Sequence, residues 1–176
     1  MKILPNLVMT FWFCLIAAGP AFADGGGGGD DRSSTKTCGS GEVWDSKNPK
    51  CVKAENDALP DKALAENAFA LAKDERYEEA LAVLDLLQDP NTAVALNYRG
   101  YATRKLGRVE EGIGYYLKSV ALDPEYTQVR EYLGEAYVQK GDIAAAMAQL
   151  QVIERICGTS CEEYTDLAEA IGDARS

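Results

Sequence analysis

The alternation of hydrophobic and polar positions changes abruptly along this chain. From Leu7 to Ala18 the residues LVMTFWFCLIAA are apolar apart from Thr10. Lys2 precedes that run, Gly19-Pro20 breaks it, and Ala21-Phe22-Ala23 follows with small residues flanking one large one. This is the pattern of a secretory signal peptide over residues 1–23, cut after Ala23. The apolar run is too short for the ~20 residues of a membrane-spanning helix, so no integral membrane segment is expected in the mature chain. Residues 24–37 hold Gly25–Gly29, Asp30-Asp31 and Ser33-Ser34 and no apolar side chain. With maximal backbone entropy and nothing to bury, they are expected to form a disordered tether. Residues 38–52 form a cysteine loop, in which Val43-Trp44 reads as a short extended run and Asn48-Pro49 as a turn.

From Pro60 onward the apolar positions take helical spacing, and the pattern repeats. Over residues 60–160, three segments align: 61–91, 93–126 and 127–160. The offset is 32 between the first two starts (93 − 61) and 34 between the next two (127 − 93). Each segment reads as a helix, a turn and a second helix, so an all-α stack of repeated helix pairs is predicted. Residues 161–176 complete it as a capping helix and tail. There Tyr164, Leu167, Ala168 and Ile171 make one apolar stripe, while Glu162, Glu163, Asp166, Glu169 and Asp173 face outward. Ser160 with Glu163 has the spacing of a capping box.

Charge and composition narrow the chemistry. Lys and Arg number 18 against 28 Asp and Glu, a net charge of −10. Loss of residues 1–23 removes one cation and no acid, giving 17 − 28 = −11. Nucleic-acid binding needs cations against phosphates, and anionic membrane surfaces attract the same charge, so neither is an expected partner. The chain has no histidine. That removes histidine-based acid–base catalysis, Ser-His-Asp and Cys-His nucleophiles and the usual zinc and copper sites. No catalytic residue, metal site or cofactor is expected.

Export places the cysteines in an oxidising compartment, periplasmic or extracellular, where local pairs form disulfides. Cys38 with Cys51 would close the loop around Trp44, and Cys157 with Cys161 would staple the capping helix across Gly158. Other readings stand beside these. Trp44 could pack onto the helices or offer an aromatic platform to a glycan of the cell envelope. Cys157 and Cys161 could act in thiol redox or copper handling, since Cys161 begins a helix whose dipole lowers a thiol pKa.

The repeats resemble the tetratricopeptide repeat family over roughly residues 61–160. The resemblance rests on small residues at the helix-crossing positions, namely Ala68 and Ala80, Gly100 and Gly112, and Gly134 and Ala146. It rests also on turn glycines Gly107 and Gly141 and on the helix-ending Leu122-Asp123-Pro124. Departures are Arg99 in place of a leucine, Arg130 in place of an aromatic, and no turn glycine in the first repeat. The resemblance implies a right-handed superhelical solenoid of about three repeats that binds proteins and catalyses nothing, hence a periplasmic scaffold or adaptor.

The family's groove-facing positions map onto Phe69, Lys73, Asn97, Tyr101, Arg104, Lys105, Glu131, Glu135 and Val138. Tyr101, Arg104 and Lys105 would form the centre of a partner site, suited to an acidic or mixed acidic and apolar protein segment. The carboxylate clamp of chaperone-binding members is not expected, because Ala65, Phe69, Tyr98, Gln128 and Tyr132 stand at its positions.

Overall fold

The computed structural model describes residues 36–55 and 58–176. The expected signal peptide, and the tether up to residue 35, lie outside them. Among the described residues, a two-stranded antiparallel hairpin, β1 (Glu42–Asp45) and β2 (Lys50–Lys53), precedes seven helices. These are α1 (Asp61–Lys73), α2 (Tyr77–Leu84), α3 (Ala93–Lys105), α4 (Val109–Leu122), α5 (Thr127–Gln139), α6 (Ile143–Cys157) and α7 (Glu162–Asp173). They pair as α1–α2, α3–α4 and α5–α6, with α7 packed on both α5 and α6. Among the described residues no helix is long and apolar enough to cross a membrane.

The helix pairs turn in one way. At Gly107 and Gly141 the chain enters the left-handed region, with φ 84° and 78°. The next amide then reaches back five residues, Arg108 N–H to Thr103 C=O and Asp142 N–H to Tyr137 C=O. These bonds satisfy carbonyls that the helix end leaves open. The first repeat makes the same turn without a glycine: Glu75 takes φ 61° and Arg76 N–H donates to Leu71 C=O at 2.9 Å.

Close approach is real where the small residues predict it in the second repeat. A Cβ on Gly100 would lie 2.6 Å from the Tyr116 ring, and one on Gly112 would lie 2.9 Å from the Gly100 carbonyl oxygen. Gly134 differs. Its nearest neighbour is not α6 but Leu167 of α7, 2.5 Å from where a Cβ would stand. The capping helix thus inserts Leu167 into the slot that Gly134 leaves, and Ile171 is buried beside it. The Ser160–Glu163 capping box does not form: α7 starts after Cys161, and Glu163 instead accepts from Thr127 Oγ1 at 3.0 Å.

The two arginine departures have partners. Arg99 pairs with Asp85 of the preceding repeat at 2.7 Å. Arg130 donates to the Pro124 carbonyl at 2.8 Å and to Gln149 Oε1 at 3.0 Å, joining the α4–α5 link to α6.

The hairpin closes the other end of the stack. Alternation along β1 sends Val43 into the main core, while Trp44 is half-buried with the Lys36 ammonium 5.2 Å from its ring centre. Asn67 of α1 grips the strand backbone. It accepts from Trp44 N–H at 2.5 Å and donates to Trp44 C=O at 2.9 Å, with a further bond to Ala63 C=O. Arg76 donates to the Cys38 carbonyl at 2.6 Å. Cys38 is joined to Cys51 and Cys157 to Cys161.

Candidate protein-binding face

Two side-chain stripes face one another across α1 and α3. On α1 the stripe runs Lys62, Glu66, Phe69, Lys73; on α3 it runs Val94, Tyr98, Tyr101, Lys105. Each is spaced by four, three and four residues, the repeat of a single helix face. Each member of the second lies 32 positions after its counterpart (94 − 62, 98 − 66, 101 − 69, 105 − 73), so the sequence repeat becomes matched rungs.

At the first rungs, Lys62, Ala65 and Glu66 of α1 and Val94 and Tyr98 of α3 line a cavity of about 440 Å³, together with Leu87, Asp61, Asp89 and Thr92. Val94 is 42% exposed, which leaves its apolar surface open to a ligand. In the middle, Phe69 stacks on Tyr98 with ring centres 4.4 Å apart and meets Tyr101 edge-on at 6.0 Å. Tyr101 leans on Tyr132 of α5 at 4.9 Å. At the last rung the charges of Lys73, Lys105 and Arg104 lie 5.7, 5.5 and 5.8 Å from the Tyr101 ring centre, within reach of its negative face.

Several expected groove residues do not line the surface. Arg104 is only 7% exposed; it donates to Glu135 at 2.5 Å and to the Tyr116 hydroxyl at 3.3 Å. Burial disfavours its charge, but Tyr116 and Glu135 outweigh that and raise its pKa. Burial likewise raises the Tyr116 and Tyr101 hydroxyls. Arg104 therefore ties α3, α4 and α5 together inside the stack and is not a free contact for a partner. Glu135 is its counter-ion.

Asn97 is fully buried and binds Tyr126 and Gln128 at 3.0 and 3.1 Å, fastening α3 to the start of α5. Phe69, Tyr101 and Glu131 are buried as well. Val138 packs into the cluster under α7, so the capping helix occupies that part of the face. Of the expected set, Lys105 is exposed and Lys73 half-buried. Burial and the neighbouring Arg104 charge push the Lys105 pKa down. Tyr98, Glu66 and Leu87 are additions; Tyr98 was legible as the member of the Val94–Tyr101 stripe between its neighbours.

Cys157, Cys161 and Glu163 bring ligand atoms within 4.8 Å of one another. With both sulfurs held in the disulfide, the group offers no thiolate to a metal.

The chain matches no family model, and no curated protein matches it in sequence. Its fold nevertheless defines it as a tetratricopeptide-type helical solenoid, as solved structures show. It is similar to SycD of Yersinia enterocolitica, a type III secretion translocator chaperone, at 19% identity over 65% of this chain and 82% of that one, with a TM-score of 0.56. The first tetratricopeptide domain of human RPAP3 aligns at 20% identity over 65% and 94% of the two chains, TM-score 0.54. SycD in complex with a peptide of the translocator YopD aligns at 20% over 68% and 93%, TM-score 0.52.

Proposed function

We propose that this chain is a non-catalytic scaffold or adaptor, exported to the periplasm or beyond, that holds a segment of another protein in the furrow between α1 and α3. The observation that carries the reading is the cavity bounded by Ala65, Val94 and Tyr98, an open apolar cleft between matched helix faces. The peptide held by SycD supports it as an analogy of fold. The leader pattern of residues 1–23 and the two joined cysteine pairs support an oxidising location.

Photo-crosslinking in the native cells tests the face. A photoreactive residue at Val94 should capture a discrete protein, and one at Ile156, an exposed apolar position on α6, should not. Capture from Ile156 with none from Val94 would remove the furrow from consideration. Export is tested separately, by N-terminal sequencing of the protein outside the cytoplasm, which should begin at Asp24.

A further inference from the structure

We propose that Cys157, Cys161 and Glu163 form a redox-gated zinc site. It is closed to metal while the two sulfurs are joined, and it takes one zinc(II) ion once an external dithiol has reduced them.

The three donors converge at the joint between α6 and the capping helix. Cys157 is the last residue of α6, Gly158 turns the chain at φ 83°, and Cys161 stands immediately before α7. Glu163 lies in the first turn of α7. The two sulfurs and a Glu163 carboxylate oxygen all lie within 4.8 Å of one another. Tetrahedral zinc, about 2.3 Å from sulfur and about 2.1 Å from oxygen, holds such donors roughly 3.5–3.8 Å apart. Unbonded sulfurs stay at about that separation, so opening the disulfide moves them toward the spacing zinc requires.

The surroundings suit a cation. Thr127 Oγ1 donates to Glu163 at 3.0 Å, the kind of outer contact that orients a ligating carboxylate, and it joins the site to the start of α5. From Glu162 to Ala168 the capping helix carries Glu162, Glu163 and Asp166 and no cation, which draws positive ions to this end. Cys157 is exposed, so water has access to the fourth position of a tetrahedron. The donor set also selects. Copper(I) prefers sulfur alone, whereas two thiolates with a carboxylate suit zinc.

Of the two disulfides this one is the easier to open. It spans four positions against 13 for Cys38–Cys51, so in the chain-entropy model it adds less stability. The exposed Cys157 sulfur is within reach of an incoming thiolate, whereas Cys38 is buried. Attack on Cys157 breaks the S–S bond, forms a mixed disulfide and expels Cys161 as a thiolate at the start of α7, where the helix dipole favours the negative charge. The second thiolate of the reductant then closes the reductant's own disulfide and releases Cys157. Two electrons and two protons have passed from the dithiol to the cysteines, and zinc binding afterwards displaces the thiol protons to solvent.

The test uses protein beginning at Asp24, reduced with dithiothreitol without oxygen and freed of reductant by gel filtration. Cobalt(II) serves as the visible stand-in for zinc. The reduced protein should develop sulfur-to-cobalt charge-transfer absorption with the visible bands of tetrahedral cobalt, and zinc should bleach both at one equivalent. The oxidised protein should show neither. Cys157→Ser and Cys161→Ser should each abolish the absorption, while Cys38→Ser with Cys51→Ser should keep it. Glu163→Gln should weaken zinc by roughly tenfold or more and leave copper(I) binding unchanged. Zinc should also raise the melting temperature of the reduced protein and not that of the oxidised one, since it binds only the open site. The melt separates loss of a ligand from loss of the fold in each variant. Absence of the cobalt bands in reduced, folded protein overturns the proposal. So does their survival in folded Cys157→Ser, or equal zinc affinity in Glu163→Gln.

Discussion

Arg104 of α3 and Glu135 of α5 are 31 positions apart in sequence and joined at 2.5 Å, with the arginine almost wholly enclosed. Leaving either charge behind without its partner is more damaging than losing the pair as a unit, because an uncompensated buried ion keeps its desolvation penalty. Arg104→Met is expected to destabilise the protein by about 3 kcal/mol. Glu135→Gln should destabilise it less, since that side chain retains 28% exposure and water can reach it. The double variant should be more stable than the sum of the single losses implies. Urea unfolding of the four proteins measures this; additive losses would show that the pair does not couple.

The turn between α1 and α2 gives a prediction of opposite sign. Glu75 adopts φ 61°, whereas the equivalent positions in the next two repeats are Gly107 and Gly141. A non-glycine residue there carries roughly 1–2 kcal/mol of steric cost, and glycine returns part of that gain as unfolded-state entropy. Glu75→Gly should therefore stabilise by about 0.5–1 kcal/mol. Gly107→Ala, which meets no neighbouring atom and differs only in backbone strain, should destabilise by about 1 kcal/mol. A fall in melting temperature for Glu75→Gly would mean that the side chain itself holds the turn.

These two positions show what the sequence reveals and what it hides. The helix pairs, their register and the two turn glycines were legible because period and glycine placement are local properties. The turn at Glu75 was not, since glutamate carries no preference for that conformation. Arg104 and Tyr101 fall on the expected side of α3, but burial is decided by side chains from other helices. Tyr116, Tyr132 and Glu135 close over them, and no local pattern encodes that closure. In the hairpin the expected extended run and turn are present. Alternation sends Val43 inward and leaves Trp44 at the edge, which a scan for the largest apolar side chain misjudges.

The fit of the capping helix can be tested by complementary volume. A Cβ at Gly134 would stand 2.5 Å from Leu167. Gly134→Ala should destabilise by about 1–3 kcal/mol through overpacking. Leu167→Ala alone should destabilise as well, by leaving a cavity. Combined, the two should lose less than their sum, because each relieves the other's defect. Thermal melts of the set decide it, and a strictly additive result would separate Gly134 from α7.

Acid should loosen the joint between hairpin and helices. Glu79 accepts both ends of a paired guanidinium from Arg76, at 2.8 and 2.9 Å, and Arg76 also holds the Cys38 carbonyl. Hydrogen bonds from Arg76 and then Ser40 hold the Glu79 carboxyl at about 2, below its ordinary 4.5. A carboxyl depressed on folding adds stability above its unfolded value and loses it as pH falls through the folded one. The Glu79 contribution is accordingly complete above 4.5 and disappears as pH drops toward 2. Urea midpoints measured between those limits should fall less steeply for Glu79→Gln than for the unaltered protein. Parallel slopes would assign the acid sensitivity to other carboxylates.

The sharpest probe of the hairpin is Asn67. Its amide exchanges two hydrogen bonds with the Trp44 backbone and makes a third to Ala63 C=O, and the residue is buried at 4% exposure. No other described side chain bonds to the Trp44 amide or carbonyl. Substitution with leucine keeps the volume and removes every polar contact, so the Trp44 N–H and C=O must either stay buried without partners or turn to water. Each buried group left unsatisfied costs about 1–3 kcal/mol, which favours detachment of the strand from α1. The chain has two tryptophans, Trp12 and Trp44. In protein beginning at Asp24, tryptophan emission therefore reports on Trp44 alone. Asn67→Leu should shift that emission to the red and raise quenching by iodide, while the helical circular dichroism at low temperature stays near its original value. Asn67→Asp separates hydrogen bonding from shape: its carboxylate still accepts from Trp44 N–H but cannot donate to Trp44 C=O, so its emission should fall between the two. Unchanged emission and quenching in Asn67→Leu would show that Val43 and the Arg76–Cys38 contact suffice to seat the hairpin without the asparagine.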